Sequence, residues 1–313
     1  MPAFTATAPG KIILFGEHAV VYGQPAIAVP VEQVRARVVV DPQPRGQPGT
    51  LRIIAKDIQL DAWLDELPTD QPLVVAVQLV LSELKIERCP ACTIRVSSSI
   101  PVASGLGSGA AVSVALLRAF SAFLGRPLSD ERVSALAYEV EIIHHGTPSG
   151  IDNTVVTYAA PVYYVKGQPI QRFLVPLPFS IVIGDTGISS STSQSVGDVR
   201  LALQAEPDRY QAYFSSIGEI VEQARRCIET QSIQRMGQLM RENHALLQKI
   251  GVSCEALDRL VFAAEGAGAW GAKLSGGGRG GNMIALVDEV QAASVAQALR
   301  VAGAVSTIMT RVR

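Results

Sequence analysis

Between residues 102 and 120 the chain reads VASGLGSGAAVSVALLRAF, with glycines at 105, 107 and 109 followed at once by apolar residues at helical spacing. Few folds accommodate such a stretch. Glycines at this density let a backbone approach a ligand closely, and the helix that follows points its free N–H groups and positive dipole end back at them. The expected guest is an anion. A Walker A loop is excluded, because no lysine follows the glycines. A dinucleotide fingerprint is matched by Gly105, Gly107 and Ala110 alone. Pro101 interrupts the strand that should enter those glycines, and Asp130 with Glu131 opens a helix where an acid should close a second strand.

The remainder of the chain decides what kind of anion is meant. Its 313 residues exceed what one core usually serves, so two domains are expected, and the hydrophobic fraction of 48% suffices to fill them. A formal charge of −1 provides no global field for nucleic acid or an anionic membrane. The first residues lack a basic segment followed by an apolar one, and no run of about 18 apolar residues occurs later, so a cytoplasmic chain is expected. Four cysteines are too few for a disulfide scaffold. The CPAC pair lacks further zinc ligands and precedes the strand-like TIRVSSSI rather than a redox helix.

Patterning divides the chain into alternating elements. KIILFGEHAVVYG and IAVPVEQVRARVVV read as paired strands, QPLVVAVQLVLSEL as a helix and CTIRVSSSI as a strand. The glycine-led helix stops at Gly125, and Ser129 caps DERVSALAYEVEIIHHG, which Gly146 closes. NTVVTY and PVYYVKG read as strands. Prolines near residue 178 precede a new apolar strand, and a long helical region runs from about Ser195 to Ile250, so the domains are drawn as 1–178 and 179–313. The second holds helices, the strands around KLSGGGRGGN, a further helix and VSTIMTRV, an α+β order with antiparallel strands.

Several polar residues stand out against this frame. Lys11 follows a Pro9-Gly10 turn, and Glu17 and His18 stand where that strand should end. On the helix from Asp130, the stripe Val133, Leu136, Ala137, Val140 and Ile143 faces inward, with Glu139 and Glu141 on its opposite edges. Periodicity leaves both acids open. Glu141 and His144 form a Glu-x-x-His pair, but a di-iron bundle needs two copies and the chain has one. Asp152 follows a Pro-Ser-Gly turn, from which its carboxylate would project.

PGKIILFGEHAVVYG, PVASGLGSGAA and KLSGGGRGG, in this order and spacing, resemble the three signature motifs of the superfamily of galactokinase, homoserine kinase, mevalonate kinase and phosphomevalonate kinase, the GHMP kinases. The resemblance covers essentially the whole chain, and Gly-Glu-His followed by AVVYG, together with HGTPSGIDNTVVTY, is similar to the mevalonate kinase branch. It implies an α+β, two-domain GHMP kinase fold, with an N-terminal domain like the second domain of ribosomal protein S5, a ferredoxin-like C-terminal domain and an ATP site in the cleft between them. By position, Asp152 matches the catalytic aspartate, Lys11 the lysine near the reacting hydroxyl, and Glu141 the magnesium-binding glutamate. Ala103, Ser104, Gly105, Leu106, Gly107, Ser108 and Gly109 match the nucleotide loop, Glu17 a structural or nucleotide-side acid, and His18 and Thr192 substrate-side positions. His18 is the nearest polar candidate for a substrate carboxylate. Two departures are visible: Ser108-Gly109 replaces the family's Ser-Ser, leaving Ser108 as the second metal-ligand candidate, and Arg279 replaces a small residue. The implied ligands are ATP, Mg2+ and a small alcohol, mevalonate for this branch, phosphorylated at its C5 hydroxyl. No nucleic acid or membrane partner is expected, and a homodimer is the assembly left open. The alternatives are another alcohol or phosphomevalonate kinase of the superfamily and a non-catalytic ATP-binding sensor.

Overall fold

The computed structural model describes residues 2–101, 105–145, 148–169 and 171–313, with backbone only at 144 and 145. Two compact units result, and no single cut of the chain separates them. The first holds Met1–Gly10, Val34–Pro101 and Gly107–Ala159; the second holds Lys11–Gln33, Val102–Leu106 and Ala160–Arg313. Strands β1 (Phe4–Phe15) and β2 (Ala26–Pro42) pair with each other and contribute residues to both units.

In the first unit, β2 alternates buried Val34, Ala36, Val38 and Val40 with exposed Arg35 and Arg37, the pattern of a sheet covered on one face. It continues through β3 (Leu51–Ala55) and β4 (Leu60–Trp63) to give the order β4, β3, β5, β2, where β5 is Cys92–Ser98. Within that order β3 and β5 run parallel, and the β3–β4 and β2–β5 pairs antiparallel. Helices α1 (Pro72–Glu83), α2 (Ser108–Phe123), α3 (Asp130–His145) and α4 (Ile151–Tyr158) pack against one another. Gln71 starts α1, its side-chain oxygen accepting from the N–H of Leu73 (2.6 Å) and Val74 (3.2 Å), with Pro72 at the first position, where no N–H is needed. Each fully buried side chain such as Ile94, Leu117 or Phe120 contributes about 1.5–3 kcal/mol. Cys92 lies within β5, and burial pushes its thiol up to about 12, which makes it unreactive.

In the second unit, β6 (Val162–Tyr164) pairs with Ala26–Ala28 of β2 and with β7 (Gln171–Arg172). A separate antiparallel sheet holds β8 (Phe179–Asp185), β9 (Gly271–Ser275), β10 (Asn282–Val287) and β11 (Ser306–Val312) in the order β11, β8, β10, β9. Helices α5 (Thr192–Ala205), α6 (Pro207–Thr230), α7 (Ile233–Ile250) and α8 (Glu255–Gly266) lie between β8 and β9 in sequence, and α9 (Ala292–Val301) between β10 and β11. Strand, helices, two strands, helix, strand, with the first and third strands central, is the ferredoxin-like arrangement.

Four local expectations change. NTVVTY is helix α4 rather than a strand: Gly150 enters it in the left-handed region (φ 88°), Thr154 Oγ1 donates to Gly150 O (2.7 Å), and packing on α3 overrides the β-branched composition. HAVVY turns into a 3-10 helix over Ala19–Tyr22, because Gly16 (φ 101°) and His18 (φ 60°) break the strand. The helical region after Ser195 is three helices, which start with Thr192. Pro207 begins α6, since it cannot donate to a preceding turn, and Gln231 (φ 60°) ends it. Ile143 is exposed, because the inward stripe of α3 ends at Val140 and Glu141.

Candidate active site

In the first unit the glycine turn and Asp152 sit at helix starts, and Glu141 toward the end of α3. Gly107 adopts φ 73°, and the α2 ladder begins there, Ala111 N donating to Gly107 O (2.9 Å). Gly107 brings no side chain to cap this helix, so its first N–H groups are presented by the turn itself. Ser108 is half-buried in the first turn, and Gly109 is exposed with open space where a Cβ would stand. Ala103 and Ser104 lie outside the described residues, as does the expected stop at Gly146.

The fold distinguishes the two acids of α3. Glu139 is exposed on the outer face, whereas Glu141 is buried. Asp152 lies half-buried in the first turn of α4, where the helix dipole favours a carboxylate. Its helix is tied down along its length. Asn153 Nδ2 donates to the backbone and hydroxyl oxygens of Ser134 (both 3.0 Å), and Arg118 of α2 holds Thr157 O while pairing with Asp130 (2.7 Å). The Asp152 backbone therefore rides on α3 and α2.

In the second unit, motifs far apart in sequence are laced together. Lys11 is buried on β1, its N–H donating to Leu106 O (2.9 Å), and Gly105 precedes it in the glycine loop at φ 80°. Ser275 Oγ accepts from Ile13 N–H (3.1 Å) and donates to Ile13 O (2.9 Å), fastening β9 to β1. Glu17 Oε1 accepts from Lys273 Nζ, which also donates to Leu274 O (2.6 Å), and neither side chain of the ion pair is exposed. Burial pushes Glu17 up and Lys273 down, while their mutual attraction opposes both shifts. Glu17 thus has a cation of its own within the fold.

His18 is buried and bonds through Nε2 to Gly277 O (3.0 Å). Since a carbonyl only accepts, Nε2 carries the proton and Nδ1 presents a lone pair, which has no partner among the described residues. Burial, with the charge of Arg279 adding to it, lowers the imidazole to about 4. Its neutral ring offers an acceptor to a ligand, and no positive charge to a carboxylate. Thr192 is exposed at the start of α5, where Ser191 Oγ accepts from Gln194 N (3.3 Å), and it touches the space beside Gly277.

Sequence reasoning missed Lys273 and Ser275. The signal was present in KLSGGG, a lysine buried in an apolar run just before glycines, but its partner is 256 residues away in sequence. Among the described residues no group of three or more His, Cys, Asp or Glu could hold a metal. Glu141 and Ser108 are hard oxygen donors, which fits an ion such as Mg2+ that keeps waters and phosphate oxygens for most of its shell.

Residues 72–160 match the model of the GHMP kinases N terminal domain and residues 220–304 that of the GHMP kinases C terminal domain. The chain is 40% identical to the mevalonate kinase of Thermococcus sibiricus, over 95% of its own length and 93% of that protein's. Superposed on the crystal structure of L. major mevalonate kinase in complex with R-mevalonate, it gives a TM-score of 0.84 at 32% identity, covering 99% of this chain and 95% of the other. A Streptococcus pneumoniae phosphomevalonate kinase reaches 0.83 at 16% identity, covering 99% and 100%, a likeness that establishes the shared fold alone. The chain belongs to the GHMP kinase family. Both relatives above 30% identity named here are mevalonate kinases.

Proposed function

We propose that this chain transfers the γ-phosphoryl group of ATP to the C5 hydroxyl of (R)-mevalonate, giving 5-phosphomevalonate and ADP. The observation that carries this reading is the 40% identity to a mevalonate kinase across nearly the whole of both chains. Fold alone could not, since a phosphomevalonate kinase shares it.

Phosphoryl transfer asks a protein mainly for positioning and for charge stabilisation. The start of α2, entered through Gly105, Leu106 and Gly107, supplies N–H donors and a positive dipole end for the phosphates. Asp152 acts as general base: its carboxylate takes the C5 hydroxyl proton as the new O–P bond forms and the bond from the γ-phosphorus to the bridging oxygen breaks. Lys11 stabilises the developing alkoxide. Glu141 and Ser108 would hold magnesium, which when bound neutralises phosphate charge. His18, neutral and with Nδ1 unpartnered, accepts from a substrate hydroxyl, and Thr192 borders the same side. Glu17 serves through Lys273 as a structural acid. The division at 1–178 and 179–313 is offered as the division of labour along the sequence: nucleotide loop, base and metal acid in the first part, Thr192 and the third motif in the second. No described helix is long and apolar enough to cross a membrane, and we place the protein in the cytoplasm with a homodimer as the assembly to test.

ADP release measured with mevalonate, phosphomevalonate, homoserine and galactose tests the reading. Mevalonate should exceed each of the others in kcat/KM by at least about 10², the scale on which pocket fit alone separates related substrates. Preference for phosphomevalonate would move the chain to that branch, and turnover of none would leave an ATP-binding sensor.

A further inference from the structure

Arg279 stands in the glycine turn between β9 and β10 at φ 59°, a left-handed conformation that a non-glycine residue keeps only when its surroundings impose it. Here three contacts do so. Its N–H donates to Val252 O (2.7 Å), its Nε approaches Gly251 O (3.4 Å) beyond the end of α7, and its Nη1 is paired with Asp198 of α5. The same turn holds the segment that leads into α5. Gly281 O accepts from the N–H and the hydroxyl of Thr186 (both 2.9 Å), Ile188 O from Gly281 N (2.8 Å), and Gly278 O from Ser190 Oγ (2.6 Å). Gly277, two residues before Arg279, receives His18 on one side and adjoins Thr192 on the other.

We propose that the Arg279–Asp198 pair is a positioning clamp that fixes residues 186–198, and Thr192 with them, against the glycine turn that orients His18, and so sets affinity for the phosphoryl acceptor. The guanidinium acts through Asp198 and the backbone of Gly251, not as a ligand of phosphate. Its charge is also felt at His18, where it helps keep the imidazole neutral. Both partners are partly exposed, at 37% and 43%, so the pair adds little to global stability and its effect is on placement. The substrate half of this inference rests on the reading of the site given above. The restraint on the segment does not.

Arg279→Gly, which restores the residue best suited to φ 59°, and Asp198→Asn test it, separately and together. The acceptor KM should rise roughly fivefold in each single variant and no further in the double, because both remove one interaction. The ATP KM and the thermal midpoint should stay close to the parent's, a split that a merely structural role would not produce. Amide hydrogen exchange should accelerate over residues 186–198 in all three variants and remain unchanged in β9 and β10. Arg279→Lys, which keeps the charge, should recover part of the acceptor KM. An unchanged acceptor KM, additive single effects, a shift in ATP KM instead, or unaltered exchange over 186–198 would each overturn the clamp. If the parent turns over no mevalonate, the functional reading fails while the exchange comparison still decides the clamp.

Discussion

Asp152, Glu141 and His18 each owe their chemistry to one local circumstance. Asp152 occupies the first turn of a short helix pinned at Asn153 and Thr157, so its carboxylate is held without help from a flexible loop. Asp152→Asn preserves shape and one acceptor oxygen but cannot accept a proton. We expect kcat to fall by about 10² or more while the affinities for ATP and acceptor stay within a few fold. For Glu141, burial beside an exposed Glu139 gives a paired test. Glu141→Gln should raise the magnesium concentration needed for half-maximal activity severalfold, and Glu139→Gln should leave it alone. His18 carries a pH signature. Its folded value of about 4 lies below the ordinary 6.5, so between those values the unfolded chain binds more protons, and stability falls as pH drops from 6.5 toward 4. The loss attributable to His18 should approach about 2–3 kcal/mol at pH 4. His18→Asn, which tolerates φ 60° and carries no group that titrates in this range, should flatten the urea midpoint against pH over that window. A slope unchanged by the substitution would assign the titration elsewhere, with His244, also lowered by burial, as the next group to replace.

Among the elements, α2 carries the nucleotide reading through its backbone. Its start is built by Gly107 at φ 73°, which has no side chain to cap it, so the N–H groups are the donors. Gly107→Val imposes a β-branched residue on a left-handed position beside those donors, and MgATP binding followed by calorimetry should weaken by at least tenfold. Binding equal to the parent's would mean that this turn does not cradle phosphate. Gly109 is the contrast within the same turn. A Cβ there meets nothing within 4 Å, so Gly109→Ser should keep activity, whereas Ser108→Ala removes the hydroxyl now present and should weaken magnesium binding, raising the concentration needed for half-maximal activity.

At the scale of the whole chain, the second unit is held together by polar contacts between residues more than 250 positions apart. The Glu17–Lys273 pair is the most consequential, being wholly buried. Lys273→Met should cost about 3–5 kcal/mol, read from the urea midpoint, because it leaves a buried carboxylate without its cation. Adding Glu17→Gln should recover part of that loss, since a neutral amide costs less to bury unpaired than a charge. What the amino-acid sequence by itself determined was local and periodic. The glycine turn before α2, the helices of α1 to α3, the strands β5 and β8, and the alternating order of the last third all follow from side-chain spacing and turn chemistry, which act over a few residues. The candidate residues were legible through the resemblance of their motifs to the family's signatures. Only the tertiary structure decided that Asn153–Tyr158 is helical, since packing on α3 and the left-handed entry at Gly150 outweigh β-branched composition. Periodicity could not separate Glu141 from Glu139; the motif match singled out Glu141, and the fold added that it is buried while Glu139 is exposed, because burial depends on what lies against a helix and not on its period. The tertiary structure alone supplied Lys273 for Glu17 and Asp198 for Arg279, pairs whose partners lie 256 and 81 positions apart, since long-range pairing arises from the way the chain folds back on itself and leaves no periodic trace in sequence.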